Sequence, residues 1–380
     1  MTLSTKPARK TLGLTGVTIN AMALVAPGVF TWLLYQVQIT GELNGLGSIW
    51  PGVLTALVTA LLTAFSFGEL AHRYPEAGLR SAYHFAEQVF RDSRRPLNLR
   101  IGRFAKFATG WAAHLYYWVY PGVMVAFMGI LADYLFRKLG YQPTPFGQII
   151  LAIAFSAFTG FLALRGITGT TTSSIVLNTI QITTLTIFSV LAILFRVLNP
   201  VHLSISAWVN PGISNVFAVA PRGIIFQAAL AMMLMVGFES VTSLGAQAAN
   251  PKRDIPRAAI LALIIQGAFS YLLLYFCAGM ALNSGVDFAN SHAPIGELAI
   301  QIGDSLLAGN GYLLMYVLGI TVIIALLGAM LTATNNGVRI SFSMALDSDM
   351  PDMLSVLHPK YATPYYTVIF ISIVSAIIGS

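Results

Sequence analysis

Charge is scarce in this chain: Asp, Glu, Lys and Arg together make up 9% of 380 residues, where a soluble domain carries roughly a quarter. That shortage excludes an ordinary water-soluble globule. Cysteine is nearly missing too. The single Cys277 lies inside an apolar run, so neither a disulfide framework nor a thiolate metal cluster forms within one chain. There is no histidine pair with an adjacent glutamate at metal-ligand spacing, no nucleophile–glycine motif and no cofactor fingerprint. No cofactor or metal is therefore expected. Low-complexity tracts and repeats at solenoid spacing are also absent.

What the chain has instead is apolar length. Hydrophobic residues reach 56% and fall in continuous runs rather than in alternation with polar ones, which predicts membrane-spanning helices and not a barrel. Eight complete spans are predicted at about 12 to 35, 50 to 71, 107 to 134, 146 to 164, 172 to 195, 222 to 245, 257 to 281 and 311 to 334. A ninth begins near Tyr365 and reaches Ser380 after about 16 residues, short of the roughly 20 that cross a bilayer core. Lys6, Arg9 and Lys10 before the first run resemble a signal peptide, but the run continues to about Leu34 and reads as an uncleaved first helix.

The formal charge of +7 is a matter of topology rather than of nucleic-acid binding. Of the 21 Lys and Arg, only Arg137, Lys138, Arg196 and Arg222 fall on the side away from the N-terminus. By the positive-inside rule the N-terminus is cytoplasmic. The basic stretch from Arg91 to Lys106 is a solvated loop, a contact with anionic headgroups or part of an inner gate. The connections 72 to 106, 196 to 221 and 282 to 310 look structured, and none resembles a soluble domain.

Two spans are interrupted. In the first, Ala26-Pro27-Gly28 places proline in a helix interior, where it removes a hydrogen bond and clashes with the preceding turn. Such a break is tolerated in a bilayer only where the freed backbone faces protein or a water-lined cavity. In the sixth, Met235-Val236-Gly237-Phe238-Glu239 puts a glycine and a carboxylate in an otherwise apolar helix. An intramembrane carboxylate faces a cavity or a partner, so Glu239 contacts the substrate, carries a proton or braces the break. The two interruptions are five spans apart, the register of inverted five-helix repeats whose broken helices frame a midplane site. Bare N–H groups at such breaks bind carboxylates, and free carbonyls accept from ammonium groups. An amino acid carries both charges.

Three stretches resemble the amino acid–polyamine–organocation permeases. They are Gly68-Glu69-Leu70-Ala71 with Pro75-Glu76-Ala77-Gly78 and Tyr83; Gly237-Phe238-Glu239 with Asn250 to Ala258; and Arg339 to Asp347 with Pro351, His358-Pro359-Lys360 and Thr363-Pro364. The resemblance implies an all-α integral membrane protein with the inverted five-plus-five repeat, helices one and six broken, residues 1–200 forming the first repeat and 201–380 an incomplete second. It further implies a piece of a longer permease, stopping within helix nine.

On that comparison Val25, Ala26, Gly28 and Val29 contact a substrate carboxylate through the backbone, and carbonyls around Val236 and Gly237 receive an amine. Phe238 and Tyr120 shape the pocket. Helix one departs from the family where it has Ala26, Pro27 and Gly28, since Pro27 donates no N–H; after helix two, Leu79 and Ser81 replace a glycine and a tyrosine. Gln181 stands where some members carry a coupling lysine, and glutamine neither titrates nor supplies charge.

His114 either protonates in the cavity or sits neutral against a neighbouring helix. Asn178, Gln181, Thr183 and Thr184 form a cation site or simply join helices, and Asn335 and Asn336 cap or brace the eighth span. The expected function is secondary transport of an amino acid or related amine across the cytoplasmic membrane, coupled to H+ or by exchange. The alternatives are a non-transporting sensor on the same fold and an intramembrane enzyme built on His114 with Glu239 or Asp133.

Overall fold

Proline lacks the N–H that a first helical turn leaves unsatisfied, and its φ is already set for that turn. It opens six of the helices in the computed structural model, which describes residues 12–25, 27–40, 45–74, 83–91, 96–165, 171–198, 221–244, 248–281, 291 and 293–380. In order these are α1 (Leu14–Val25), α2 (Pro27–Thr40), α3 (Gly45–Arg73), α4 (His84–Arg91), α5 (Pro96–Lys138), α6 (Pro145–Leu164), α7 (Thr171–Leu198) and α8 (Pro221–Met235). A 3-10 turn at Phe238–Leu244 follows, then α9 (Pro251–Ala281), α10 (Pro294–Leu306), α11 (Gly311–Leu346), a second 3-10 turn at Asp352–Ser355, and α12 (Tyr365–Gly379). Among the described residues six helical stretches are long and apolar enough to cross a membrane, and α12 is apolar but shorter. The protein is multi-pass. The predicted first span is divided into α1 and α2, of 12 and 14 residues, neither of which spans alone.

The structure corrects some boundaries. Hydropathy marks membrane thickness, not the end of a helix. α5 therefore begins at Pro96 rather than near 107 and runs 43 residues, about 64 Å against a hydrocarbon core of about 30 Å. It carries Pro121 within it. Likewise α11 continues to Leu346, so Asn335 and Asn336 lie inside the helix and cap nothing. The chain leaves α11 only at Asp347, where Ser348 turns to φ 61°. The connection 282 to 310 contains α10, and 72 to 106 contains α4. Residues 199–220 of the outer connection lie outside the described residues.

Lipid offers apolar side chains the same environment as a protein interior, so helices in a bilayer associate through small residues that allow close approach. α3 shows this arrangement. Ala56, Ala60 and Ala64 are buried on one face, packed toward α8 and α9, while Leu54, Val58, Leu62 and Phe65 are exposed on the other. α5 packs along α11 and α12. Where α4, the start of α5 and the end of α11 meet, Asp347 Oδ2 accepts from Tyr83 Oη at 2.8 Å and Lys106 Nζ at 2.7 Å, with His84 Nε2 at 3.5 Å. Lys106 also reaches Glu87 at 3.4 Å. Burial pushes the Asp347 carboxyl up, but the hydrogen bonds from Lys106 and Tyr83 outweigh it and hold the group below its ordinary value. Burial, reinforced by Asp347, pushes the Tyr83 phenol up.

Candidate functional site

A helix end leaves carbonyls without N–H partners, and in a membrane something must satisfy them. At the first break α1 stops at Val25 and α2 starts at Pro27. The Leu24 carbonyl, in the last turn of α1, accepts from the Tyr120 hydroxyl of α5 at 3.1 Å. The first N–H groups of α2 belong to Gly28, Val29 and Phe30, because Pro27 has none. Gly28 and Val29 are buried. Ala26 lies outside the described residues, and of Val25 only the helical backbone is described.

At the second break α8 ends at Met235. Gly237 has φ 120°, a left-handed conformation that favours glycine, and the chain resumes as the 3-10 turn. The Leu234 carbonyl in the last turn of α8 accepts from Gln266 Nε2 of α9 at 3.0 Å. Glu239 Oε2 takes the N–H of Gly237 at 2.9 Å, and Glu239 Oε1 lies 3.3 Å from the hydroxyl of Tyr117. The carboxylate thus braces the turn. The Gly237 carbonyl already accepts from Ser240 N at 3.1 Å and Ser240 Oγ at 2.6 Å. Phe238 is buried, its ring edge-on to Phe67 with centroids 6.3 Å apart.

Tyr117 and Tyr120 are three residues apart on α5, hence on one face. One touches the second break and the other the first. With Tyr116, whose ring lies 4.9 Å from Tyr117 and 5.3 Å from Tyr120, they form an aromatic seam between the two interrupted helices. α1 itself packs against the 3-10 turn, and just before α1 the carbonyl of Leu12 accepts from Ala249 N at 2.8 Å.

Gln181 is brought to the start of α2: a side chain at Gly28 would meet Gln181 Nε2 at 3.3 Å. Both residues line a small cavity of about 10 Å³ with Trp32, Leu185, Phe188 and Ile295, room for about one water. Asn178, by contrast, donates to the Ile19 carbonyl of α1 at 3.0 Å. Thr183 is exposed, and Thr184 bonds back to Ile180 at 2.9 Å. These four polar residues therefore converge on no single site. His114 is fully buried, with Nδ1 3.0 Å from Ser341 Oγ. Ser341 Oγ also lies 2.7 Å from the Gly337 carbonyl of its own helix. The imidazole joins α5 to α11 instead of meeting either break.

Sequence reasoning missed Gln266 and Tyr117 as partners of the second break. Gln266 had a signal, being an amide in the apolar run of the seventh span. Tyr117 sits among Tyr116, Trp118 and Tyr120 near His114, and nothing in that aromatic run singles it out.

The profile of the amino acid permease family matches residues 10–380. The chain belongs to this family. Among curated relatives, the permease is 24% identical to the branched-chain amino acid permease BcaP of Bacillus subtilis, covering 99% of this chain and 75% of the relative. It is 24% identical to the low-affinity putrescine importer PlaP of Escherichia coli K12, covering 97% and 74%. It is 26% identical to the vacuolar cationic amino acid transporter 4 of Arabidopsis thaliana, covering 94% and 57%. Among solved structures, MhsT in complex with L-phenylalanine superposes with a TM-score of 0.63 at 16% identity, over 96% of this chain and 78% of MhsT. The permease has that transporter fold, with its first and sixth spans broken. It is a transporter and not an enzyme.

Proposed function

We propose that this permease carries an amino acid or a related amine across the cytoplasmic membrane by alternating access, with its N-terminus in the cytoplasm. The observation that carries this reading is the pair Tyr117 and Tyr120, one turn apart and each bonded at a different helix break. The substrate lies between the breaks. Its carboxylate meets the N–H groups at the start of α2, from Gly28 and Val29, with Val25 and Ala26 at the edge. Its ammonium meets carbonyls around Val236, since that of Gly237 is engaged by Ser240. Branched-chain amino acids and putrescine, the substrates named for BcaP and PlaP, share the amine.

Residues 1–200 and 201–380 act as the two repeats that rock about this point. Proton coupling, with Glu239 as the carrier, is the preferred drive; exchange is the other. A carboxylate that releases Gly237 N–H and Tyr117 on protonation would link proton binding to the shape of the break.

The test is uptake of labelled leucine, arginine and putrescine into proteoliposomes, with and without an inward proton gradient. Saturable, gradient-stimulated uptake that Gly28→Leu abolishes is expected, and Glu239→Gln should keep counterflow while losing the response to the gradient. Binding of a substrate with no uptake under any gradient would overturn transport by this chain.

A further inference from the structure

Away from the breaks, α6 and α12 leave a groove of about 280 Å³ between them, near the lower end of small-molecule sites. Its floor is made of small residues. Gly160 is pressed against Ser372, so that any Cβ there would collide with the serine hydroxyl, and Ser156 Oγ donates to the Ser372 carbonyl at 2.6 Å. The Ser156 hydroxyl of the floor is therefore satisfied within the protein. The rims are large and apolar: Ile153, Phe161, Ile369 and Ile373 are each about half exposed. From Ile153 to Leu164 the groove follows α6 for about 16 Å, roughly half the hydrocarbon thickness. That is the depth of one leaflet.

At the end of the groove stands a cation. Arg165 closes α6 and is exposed, with its guanidinium carbon 4.5 Å from the centre of the Phe161 ring. Thr363 Oγ1 donates to the Leu164 carbonyl at 2.9 Å, which anchors the turn between Leu357 and Pro364 to the same helix end. Lys360 is exposed at the tip of that turn. Neither Arg165 nor Lys360 makes an ion pair with a described acid. Stacking on Phe161 restrains the guanidinium, and its planar fork matches phosphate oxygens.

We propose that this groove binds one anionic phospholipid, its acyl chain lying between α6 and α12 and its phosphate held by Arg165 and Lys360. The apolar trough alone would accept any lipid chain. Arg165 and Lys360, paired with no described acid, select the sign of the headgroup.

Native mass spectrometry of the detergent-solubilised chain, offered equal phosphatidylglycerol and phosphatidylcholine of identical acyl chains, tests this. One phosphatidylglycerol should be retained in preference. Arg165→Gln and Lys360→Gln should each reduce the preference about fivefold, and Arg165→Lys should restore part of it. Ala157→Trp, which fills the trough, should expel both lipids, while Ile187→Trp on the lipid face of α7 should change nothing. Circular dichroism and size-exclusion elution confirm that each variant is folded. An unchanged preference in the doubly neutralised chain would overturn the proposal. So would lipid retention by Ala157→Trp, or a lipid-free dimer that Ala157→Trp converts to monomer, since a second copy would then cover the groove.

Discussion

The hydroxyl of Tyr117 lies 3.3 Å from one carboxylate oxygen of Glu239, whose other oxygen holds the N–H of Gly237 at 2.9 Å. One side chain on the sixth span is thus tied both to its own broken backbone and to α5. Tyr117→Phe removes the bond to α5 alone and should lower stability by about 1 to 3 kcal/mol. Glu239→Leu also strands a backbone donor and should cost more. Thermal unfolding of Tyr117→Phe, Glu239→Gln and the double variant checks the pairing, with a coupling of about 0.5 to 3 kcal/mol expected for residues in one network.

Each break has its own cap. Tyr120→Phe leaves the Leu24 carbonyl unpaired and Gln266→Leu leaves that of Leu234, and a buried unsatisfied carbonyl costs about 1 to 3 kcal/mol. Both variants should melt lower than the parent in the same detergent. Tyr120→Phe should in addition weaken substrate binding by isothermal titration.

Gly237 sits at φ 120°, where a Cβ is strained at a cost of about 1 to 3 kcal/mol. Gly237→Ala should reshape the turn that positions Val236 and Phe238. Initial uptake rates are expected to fall at least about tenfold, as 1.4 kcal/mol is a factor of ten. A rate within twofold of the parent would show that this turn does not shape the site.

The network at Asp347 predicts a pH dependence with a definite sign. A carboxyl held below its ordinary value of 3.8 stabilises the fold fully above that pH, and the contribution is lost as pH falls through the lowered value. Thermal stability should therefore drop below about pH 4. Asp347→Asn should be less stable at neutral pH and should show a shallower drop on acidification, measured from pH 6 to pH 2.5.

The spans and both breaks were legible in the sequence because a bilayer imposes a length and because Pro27 and Gly237 act on backbone geometry locally. The roles left open for Glu239 could not be separated from sequence, since its partner Tyr117 is 122 residues away and no periodicity encodes such a pairing. Gln266 escaped notice for the same reason: its role is defined by a carbonyl on another helix. The polar group around Asn178 was misleading in the opposite direction. Its members are close in sequence, but the helical turn sends Thr183 outward and Asn178 toward α1. The ends of α5 and α11 were misplaced because hydropathy falls at the membrane surface whether or not the helix does.

Pro121 follows Tyr120 directly, and its missing N–H leaves the carbonyl of Tyr117 without its helical partner. From Lys106 to Tyr120, by contrast, α5 is uninterrupted. This segment is a lever about 21 Å long, fixed at the end far from Pro121 to α4 and α11 through Lys106 and carrying both break-contacting tyrosines beside its joint. A swing at that joint would load the Leu24 and Glu239 contacts together. The two broken helices would then be geared to each other through a third helix that is whole on the side where the lever is held.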